Sequence, residues 1–305
     1  MTYSIVARDQ RTGELGVAVQ SHFFGAGKVV TWARGGVGAI ATQAFANPAF
    51  GPDGLDLLSA GTNAADALAG LIAADPGAEL RQLAMIDAAG STAVYTGAAC
   101  YPVAEHEQAR EVSAQGNMLR NAGTVPAMVA AFTTASGELA ERLLVALEAA
   151  EEAGGDARGR QAAALLVVDG KRTEPADGPA PVDLRVEDSD DPLAELRRLL
   201  TLNRGYQALG SLFATDVLGG VGDCSRESVE DALESIERSL PWLPGSAEPL
   251  MWRAIVMARG NRPQQAREAA AHALQQAPGL GVFLTRLQDA GVVPADTWAE
   301  GSLRR

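Results

Sequence analysis

The sequence predicts an α+β protein built on antiparallel sheets, followed by an all-α C-terminal region. Three observations predict this. Alternation of apolar and polar residues, the period of a half-buried strand, begins almost at the first residue. Strands then occur in groups with helices in pairs between them, unlike the regular βαβ alternation of a parallel sheet. From Asp190 onward every periodic segment carries the helical repeat.

In the opening segment Tyr3, Ile5 and Ala7 alternate with Ser4, Val6 and Arg8. A turn at 9–13 and a return along 14–19 complete a β-hairpin. A third strand is expected at 36–42. Asn47-Pro48 and Gly51-Pro52 break the chain. Short helices follow at 54–59 and Ala64–Ala74, the second capped by Asn63. Arg81–Asp87 and 91–96 form another hairpin around Ala88-Ala89-Gly90, 111–115 a strand and 124–136 a helix. The helix 138–153 sets Leu139, Leu143, Leu147 and Ala150 on one face and Glu141, Glu148, Glu151 and Glu152 on the other, and Gly154-Gly155-Asp156 ends it. Ala162–Val168 has the run of a buried strand, 170–181 the composition of a surface loop, and Val182–Val186 is the last strand.

Composition narrows the function. The chain has 305 residues, 47% hydrophobic and 21% charged, as in a globular protein with ample core. A net charge of −13 without a basic arm argues against nucleic acid or an anionic membrane as partner. No apolar run of membrane-spanning length and no signal-peptide pattern occurs, so cytoplasmic localisation is expected. The two cysteines, Cys100 and Cys224, read as free thiols.

Walker loops, H-E-x-x-H, paired C-x-x-C and G-x-S-x-G are all absent from the sequence. Gly36-Val37-Gly38-Ala39-Ile40-Ala41 fits G-x-G-x-x-A but lies in a strand with no helix after it, so close backbone packing explains its glycines better than a dinucleotide. Of three histidines, His272 sits in an alanine-rich helix and His106, in Glu105-His106-Glu107, reads as part of a solvated loop. His22 follows the second strand, where a histidine is more often structural than catalytic. No metal or cofactor is expected. So few histidines leave little for a Ser-His-Asp mechanism and turn attention to Thr2. Removal of Met1 ahead of a small residue would give Thr2 a hydroxyl nucleophile and a free α-amine as its base, with a reference pKa of about 7.7–8.0. The competing reading is an ordinary start to an ordinary strand.

In the C-terminal region Ala232, Leu240 and Pro244 recur as Ala266, Leu274 and Pro278, each 34 residues on. This resembles the tetratricopeptide repeat over about two units, too few for a free-standing solenoid. Homodimerisation and a protein partner for residues 203–305 are the corresponding expectations.

The segments YSIVARDQRTGELGVAVQSHFFGAGKVVTWARGGVGAIATQAFANPAFGPDGL, QLAMIDAAGSTAVYTG, SAQGNML and EEAGGDARGRQAAALLVVDG, in that order, resemble the DUF1028 family, a group placed in the Ntn-hydrolase (N-terminal nucleophile) superfamily. The resemblance covers about residues 1–200. It implies a four-layer αββα sandwich and hydrolysis of an amide bond by Thr2 as N-terminal nucleophile. Gln20, Ser21 and His22 would leave the second strand beside Thr2. Many members carry lysine at the position of His22, and Lys28, the nearest lysine, would either lower a pKa at the site or sit in a solvated loop. In Gln115-Gly116-Asn117, Gly116 would allow close backbone approach, and Asn117 would hold an oxyanion or cap the next helix. Asp156, Arg158, Arg160 and Gln161 would bind a substrate carboxylate or pair with one another at a sheet end. Cys100, whose nearest histidine is His106, is a poor rival nucleophile.

The expected organisation is therefore an Ntn-hydrolase-like domain at 1–202 and a helical, tetratricopeptide-like extension at 203–305. The expected substrate is a small amide with an anionic group. The alternative is a catalytically silent member that binds a ligand or uses its helical tail for protein contacts.

Overall fold

The computed structural model describes residues 2–172, 180–219 and 224–298. The chain divides into two compact units, residues 1–200 and 201–305. The first contains β1 (Thr2–Arg8), β2 (Leu15–Ser21), α1 (Ala26–Val30), β3 (Thr31–Arg34), β4 (Gly38–Ala44), α2 (Phe50–Ser59), α3 (Ala64–Ala74), β5 (Arg81–Asp87), β6 (Thr92–Thr96), β7 (Glu105–Ala109), β8 (Val112–Asn117), α4 (Thr124–Thr134), α5 (Leu139–Glu152), β9 (Ala162–Val168) and β10 (Val182–Val186). Helix α6 (Pro192–Gly210) starts in this unit and ends in the next.

All strand pairing is antiparallel. Six strands lie in the order β10-β9-β2-β1-β8-β7 and four in the order β3-β4-β5-β6. The strand period of two divides each sheet's side chains between two cores. Val6, Val17 and Val19 of the larger sheet meet Ala39, Ala41, Ala84 and Ile86 of the smaller one in a core between the sheets. On the other face of the larger sheet, Tyr3, Ile5 and Ala18 pack on Met128 and Phe132 of α4 and on Leu143 and Leu147 of α5. On the other face of the smaller sheet, Ile40, Leu83 and Met85 pack on Leu55 and Leu58 of α2 and Leu68 and Leu71 of α3. The order is helices, sheet, sheet, helices.

Local chemistry sets the element ends. The β1–β2 turn is held by Asp9 Oδ1, which accepts from the backbone N–H groups of Arg11 and Thr12 at 2.9 Å each. Asn63 caps α3 by accepting from Asp66 N at 2.9 Å. Helix α2 begins at Phe50 and not after Pro52, because a proline in the first helical turn removes an N–H that has no intrahelical partner anyway. The G-x-G-x-x-A stretch is a hairpin: Gly36 turns with φ 60°, and a Cβ on Gly38 would stand 2.7 Å from the Ile86 carbonyl oxygen. Strand β7 corrects the expectation of a loop at Glu105-His106-Glu107. His106 Nδ1 lies 2.9 Å from Thr96 Oγ1, and Gln108 Nε2 donates to Thr92 Oγ1 at 2.8 Å, so side chains of β7 tie it to β6 of the other sheet. Part of the loop expected at 170–181 lies outside the described residues.

The second unit is helical: the end of α6, then α7 (Asp216–Gly219), α8 (Arg226–Ser239), α9 (Glu248–Arg259), α10 (Pro263–Gln276) and α11 (Leu280–Asp289). Ala266, Ala269, Ala270 and Ala273 of α10 pack among Ala254, Ile255 and Ala258 of α9, small side chains that let the helix axes approach. Ala232 and Ala266, the repeat-related pair, are both fully buried. Among the described residues no helix is long and apolar enough to cross a membrane.

Gly16 of β2 lies under α5, where an added Cβ would come 2.6 Å from Leu143 Cδ1. Gly16→Ala is expected to lower unfolding stability by about 1–3 kcal/mol through overpacking, read as a lower midpoint in urea denaturation.

Candidate active site

Strand β1 is paired with β8 from Thr2 and with β2 from Tyr3. Thr2 stands opposite Asn117 of β8, and Tyr3 opposite Gln20 of β2. Thr2 and Ser4 therefore share the face toward the smaller sheet, and Tyr3 faces α5. There its hydroxyl donates to Glu151 Oε2 at 2.7 Å. Burial, and next the charge of Glu151, raise the Tyr3 pKa well above its ordinary value, so the hydroxyl remains a donor at neutral pH. The residue after the candidate nucleophile is thereby fixed in both sheet and core.

Thr2 borders a cleft of about 500 Å³, which Ser21, Gln43, Arg81, Asn117 and Arg158 also line. Thr2 Oγ1 is 2.9 Å from Ser21 Oγ, and Thr2 is 7% exposed. Phe23, Phe45 and Tyr101 supply an aromatic wall, and all three are substantially exposed. Phe45 and Tyr101 meet edge to face, with ring centroids 5.6 Å apart.

Beneath Thr2 the space between the sheets is polar. Gln43 Nε2 donates to Gln82 Oε1 at 2.7 Å, and Asn117 Nδ2 donates to the same oxygen at 3.0 Å. Ser4 Oγ donates to Gln43 Oε1 at 2.6 Å, Gln115 Nε2 to Ser4 Oγ at 2.6 Å, and Gln82 Nε2 to the Gly116 carbonyl at 2.9 Å. All of these side chains are buried. Buried amides that satisfy one another hold a single arrangement, because each broken link would strand a desolvated group.

Two non-glycine residues of the cleft have left-handed backbone: Ala44 with φ 64° and Met118 with φ 51°. Such a conformation costs about 1–2 kcal/mol for an L-residue. Strain of this kind persists where the surroundings impose it, which is common at functional sites.

Of the residues singled out by sequence, Thr2, Ser21, Asn117 and Arg158 come together on the cleft. Asp156 is buried behind them. Its carboxylate accepts from His22 N at 3.0 Å and from Arg158 N at 2.8 Å, with Arg158 Nη2 at 3.3 Å, so it braces the segment after β2 against the one before β9. His22 places Nδ1 3.1 Å from the Arg160 carbonyl, and Arg160 pairs with Glu151 and Asp191. Gln161 Nε2 donates to Asp188 Oδ1 at 2.9 Å, and Lys28 reaches Glu187 at 3.5 Å. None of these last four side chains lines the cleft. Gln20, paired with Tyr3, faces the helix layer, and its Oε1 and Nε2 are buried without partners among the described residues. Gly116 is needed for packing: a Cβ there would meet the Leu119 side chain at 2.8 Å.

Gln43, Gln82, Arg81, Phe45 and Tyr101 escaped the sequence reading. They come from β4 and the residue after it, from the start of β5 and from the loop before β7, and form no recognisable motif. The single available signal was glutamine on the apolar phase of a strand. Cys100 lies beside the cleft, but burial raises its thiol pKa, which leaves it a poor nucleophile. No cluster of three or more His, Cys, Asp or Glu residues able to hold a metal occurs among the described residues.

The class is thus a two-sheet α+β domain with a threonine on a cleft above a buried polar network between the sheets. The chain belongs to the family described as "Family of unknown function (DUF1028)", whose profile matches residues 2–196. Among solved structures it is similar to protein SPO2555 from Silicibacter pomeroyi, a crystal structure described as DUF1028. The two are 32% identical with a TM-score of 0.60, over 65% of this chain and 84% of that one. Anbu (ancestral beta-subunit) from Yersinia bercovieri gives 12% identity and a TM-score of 0.32, over 70% of this chain and 96% of that one, a likeness too slight to carry an argument. No curated protein matches.

Gln82→Met is expected to strand the Asn117 amide and the Gly116 carbonyl, whereas Gln43 Nε2 keeps the Thr2 and Gln115 carbonyls at 3.4 Å each. The expected cost is about 2–6 kcal/mol of unfolding stability, at about 1–3 kcal/mol for each of the two unsatisfied buried groups, measured by chemical denaturation.

Proposed function

We propose that this protein is an amidohydrolase of the Ntn type, with Thr2 as nucleophile once Met1 has been removed. The observation that carries the reading is the placement of Thr2 on the cleft, at the head of a strand paired on both sides, with Ser21 Oγ 2.9 Å from its hydroxyl. Helices on the outer faces of two antiparallel sheets agree with the αββα sandwich that the superfamily implies.

In this mechanism Thr2 Oγ1 attacks the carbonyl carbon of a bound amide, and its proton passes to the Thr2 α-amine, directly or through a water. Asn117 Nδ2 gives one hydrogen to Gln82 and has a second for the tetrahedral oxyanion. Collapse breaks the C–N bond, the ammonium returns its proton to the departing amine, and water then hydrolyses the threonine ester and restores the hydroxyl. Ser21 orients Thr2 Oγ1. The fold thus supplies rigidity, and the chain end supplies both base and nucleophile.

Intact mass of protein made in its native host is expected to be one methionine short of the full sequence. On a panel of small amides the mature protein is expected to turn over at least one substrate, and Thr2→Ala to fall to background. The rate is expected to rise with pH as the α-amine loses its proton, around the reference value of about 7.7–8.0. Retention of Met1, or an unchanged rate in Thr2→Ala, would overturn the proposal and leave a ligand-binding member of the family.

A further inference from the structure

We infer that the cleft recognises an amide bearing a carboxylate and an apolar, aromatic-sized group, with Arg81 reading the carboxylate and the Phe45–Tyr101 pair receiving the apolar group. The inference takes from the Thr2 reading only that the ligand is an amide; the recognition needs no turnover.

Charge is the first argument. The chain carries a net charge of −13, yet among the described residues those lining this cleft include two arginines, Arg81 and Arg158, and no aspartate or glutamate. Both guanidiniums are held by carboxylates that do not themselves line the cleft. Arg81 Nε donates to Asp75 Oδ2 at 2.6 Å with Nη2 3.4 Å from Oδ1, and Arg158 pairs with Asp156. Each arginine thus brings its counter-ion from outside the lining, so the charged groups that line the cleft itself are guanidiniums, which favour an anionic ligand group over a cationic one.

Geometry is the second argument. Arg81 Nη1 also donates to the Phe45 carbonyl. Three of its five N–H groups are thereby engaged, and the fork is locked with two N–H groups remaining on Nη1 and Nη2. A pre-oriented guanidinium loses little entropy when it takes a carboxylate. The same contact fixes Phe45, whose ring meets Tyr101 edge to face. Phe45 is 49% exposed and Tyr101 52%, so the pair presents apolar surface to the cleft that an apolar ligand group would remove from water.

The test uses full-length Thr2→Ala protein, which binds without hydrolysing, and isothermal titration calorimetry with four probes. These are N-benzoylglycine, N-benzoylglycinamide, N-acetylglycine and N-acetylglycinamide. N-benzoylglycine is expected to bind at least about tenfold more tightly than its neutral carboxamide, the size of a charge-assisted hydrogen bond. It is also expected to bind about 3- to 10-fold more tightly than N-acetylglycine, the size of an aromatic contact. Tyr101→Ala, at a half-exposed position that leaves folding intact, is expected to erase the benzoyl advantage and keep the carboxylate preference. Arg81→Lys is expected to reduce the carboxylate preference. Equal binding of the carboxylate and carboxamide probes, or an unchanged benzoyl advantage in Tyr101→Ala, overturns the inference. Because no turnover is measured, these outcomes are independent of whether Thr2 proves to be a nucleophile.

Discussion

The structure depends on the two-sided pairing of β1. The first residues of a strand fray unless they are tied into a sheet. Here β8 pairs with residues 2–7 and β2 with residues 3–8, and the Tyr3 hydroxyl adds a part-buried bond to Glu151. Most of the local geometry follows. Thr2 is set opposite Asn117, Ser21 at the end of β2 lies within hydrogen-bond reach, and alternate residues are divided between an apolar helix-facing core and the inter-sheet space.

That inter-sheet space is chemically divided along β1. Away from the cleft Val6, Val17 and Val19 pack against alanines and Ile86. Toward the cleft the same phase carries Ser4, Gln43, Gln82, Gln115 and Asn117, joined by hydrogen bonds. An apolar filling would bury more hydrocarbon, but it would not specify where the Asn117 amide points. A closed amide network does, at the risk that any one loss leaves several groups unpaired. Left-handed backbone at Ala44 and Met118 lies at the same end of the sandwich, so strain and buried polarity are both concentrated around Thr2.

Much of this was legible in the sequence where the signal is local. The hairpin of β1 and β2, the Asn63 cap, α5 and the strand Ala162–Val168 follow from periodicity and capping chemistry within one segment. The short α1 and β3 were missed because four or five residues hold too little period to read. Strand β7 was missed because its residues, Glu105-His106-Glu107-Gln108, are poor strand formers that become a strand only by pairing with β8. At the site, Thr2, Ser21, Asn117 and Arg158, singled out by sequence, share the cleft, whereas Gln20, expected beside Thr2, faces the helix layer. A residue at a strand end points to one layer or the other by register alone, and its pairing with Tyr3 decides that. Arg81, Gln43 and Gln82 are neighbours of Thr2 only through folding.

The side-chain ties between β6 and β7 join two sheet edges. Each of these strands ends its own sheet, and open sheet edges are where a chain recruits a second copy. Here the hydroxyls of Thr92 and Thr96 are already engaged by Gln108 and His106, and β7 itself carries Glu105 and Glu107. The two sheets, joined by no backbone ladder among the described residues, are thus laced together along this flank by a few side-chain hydrogen bonds between their last strands.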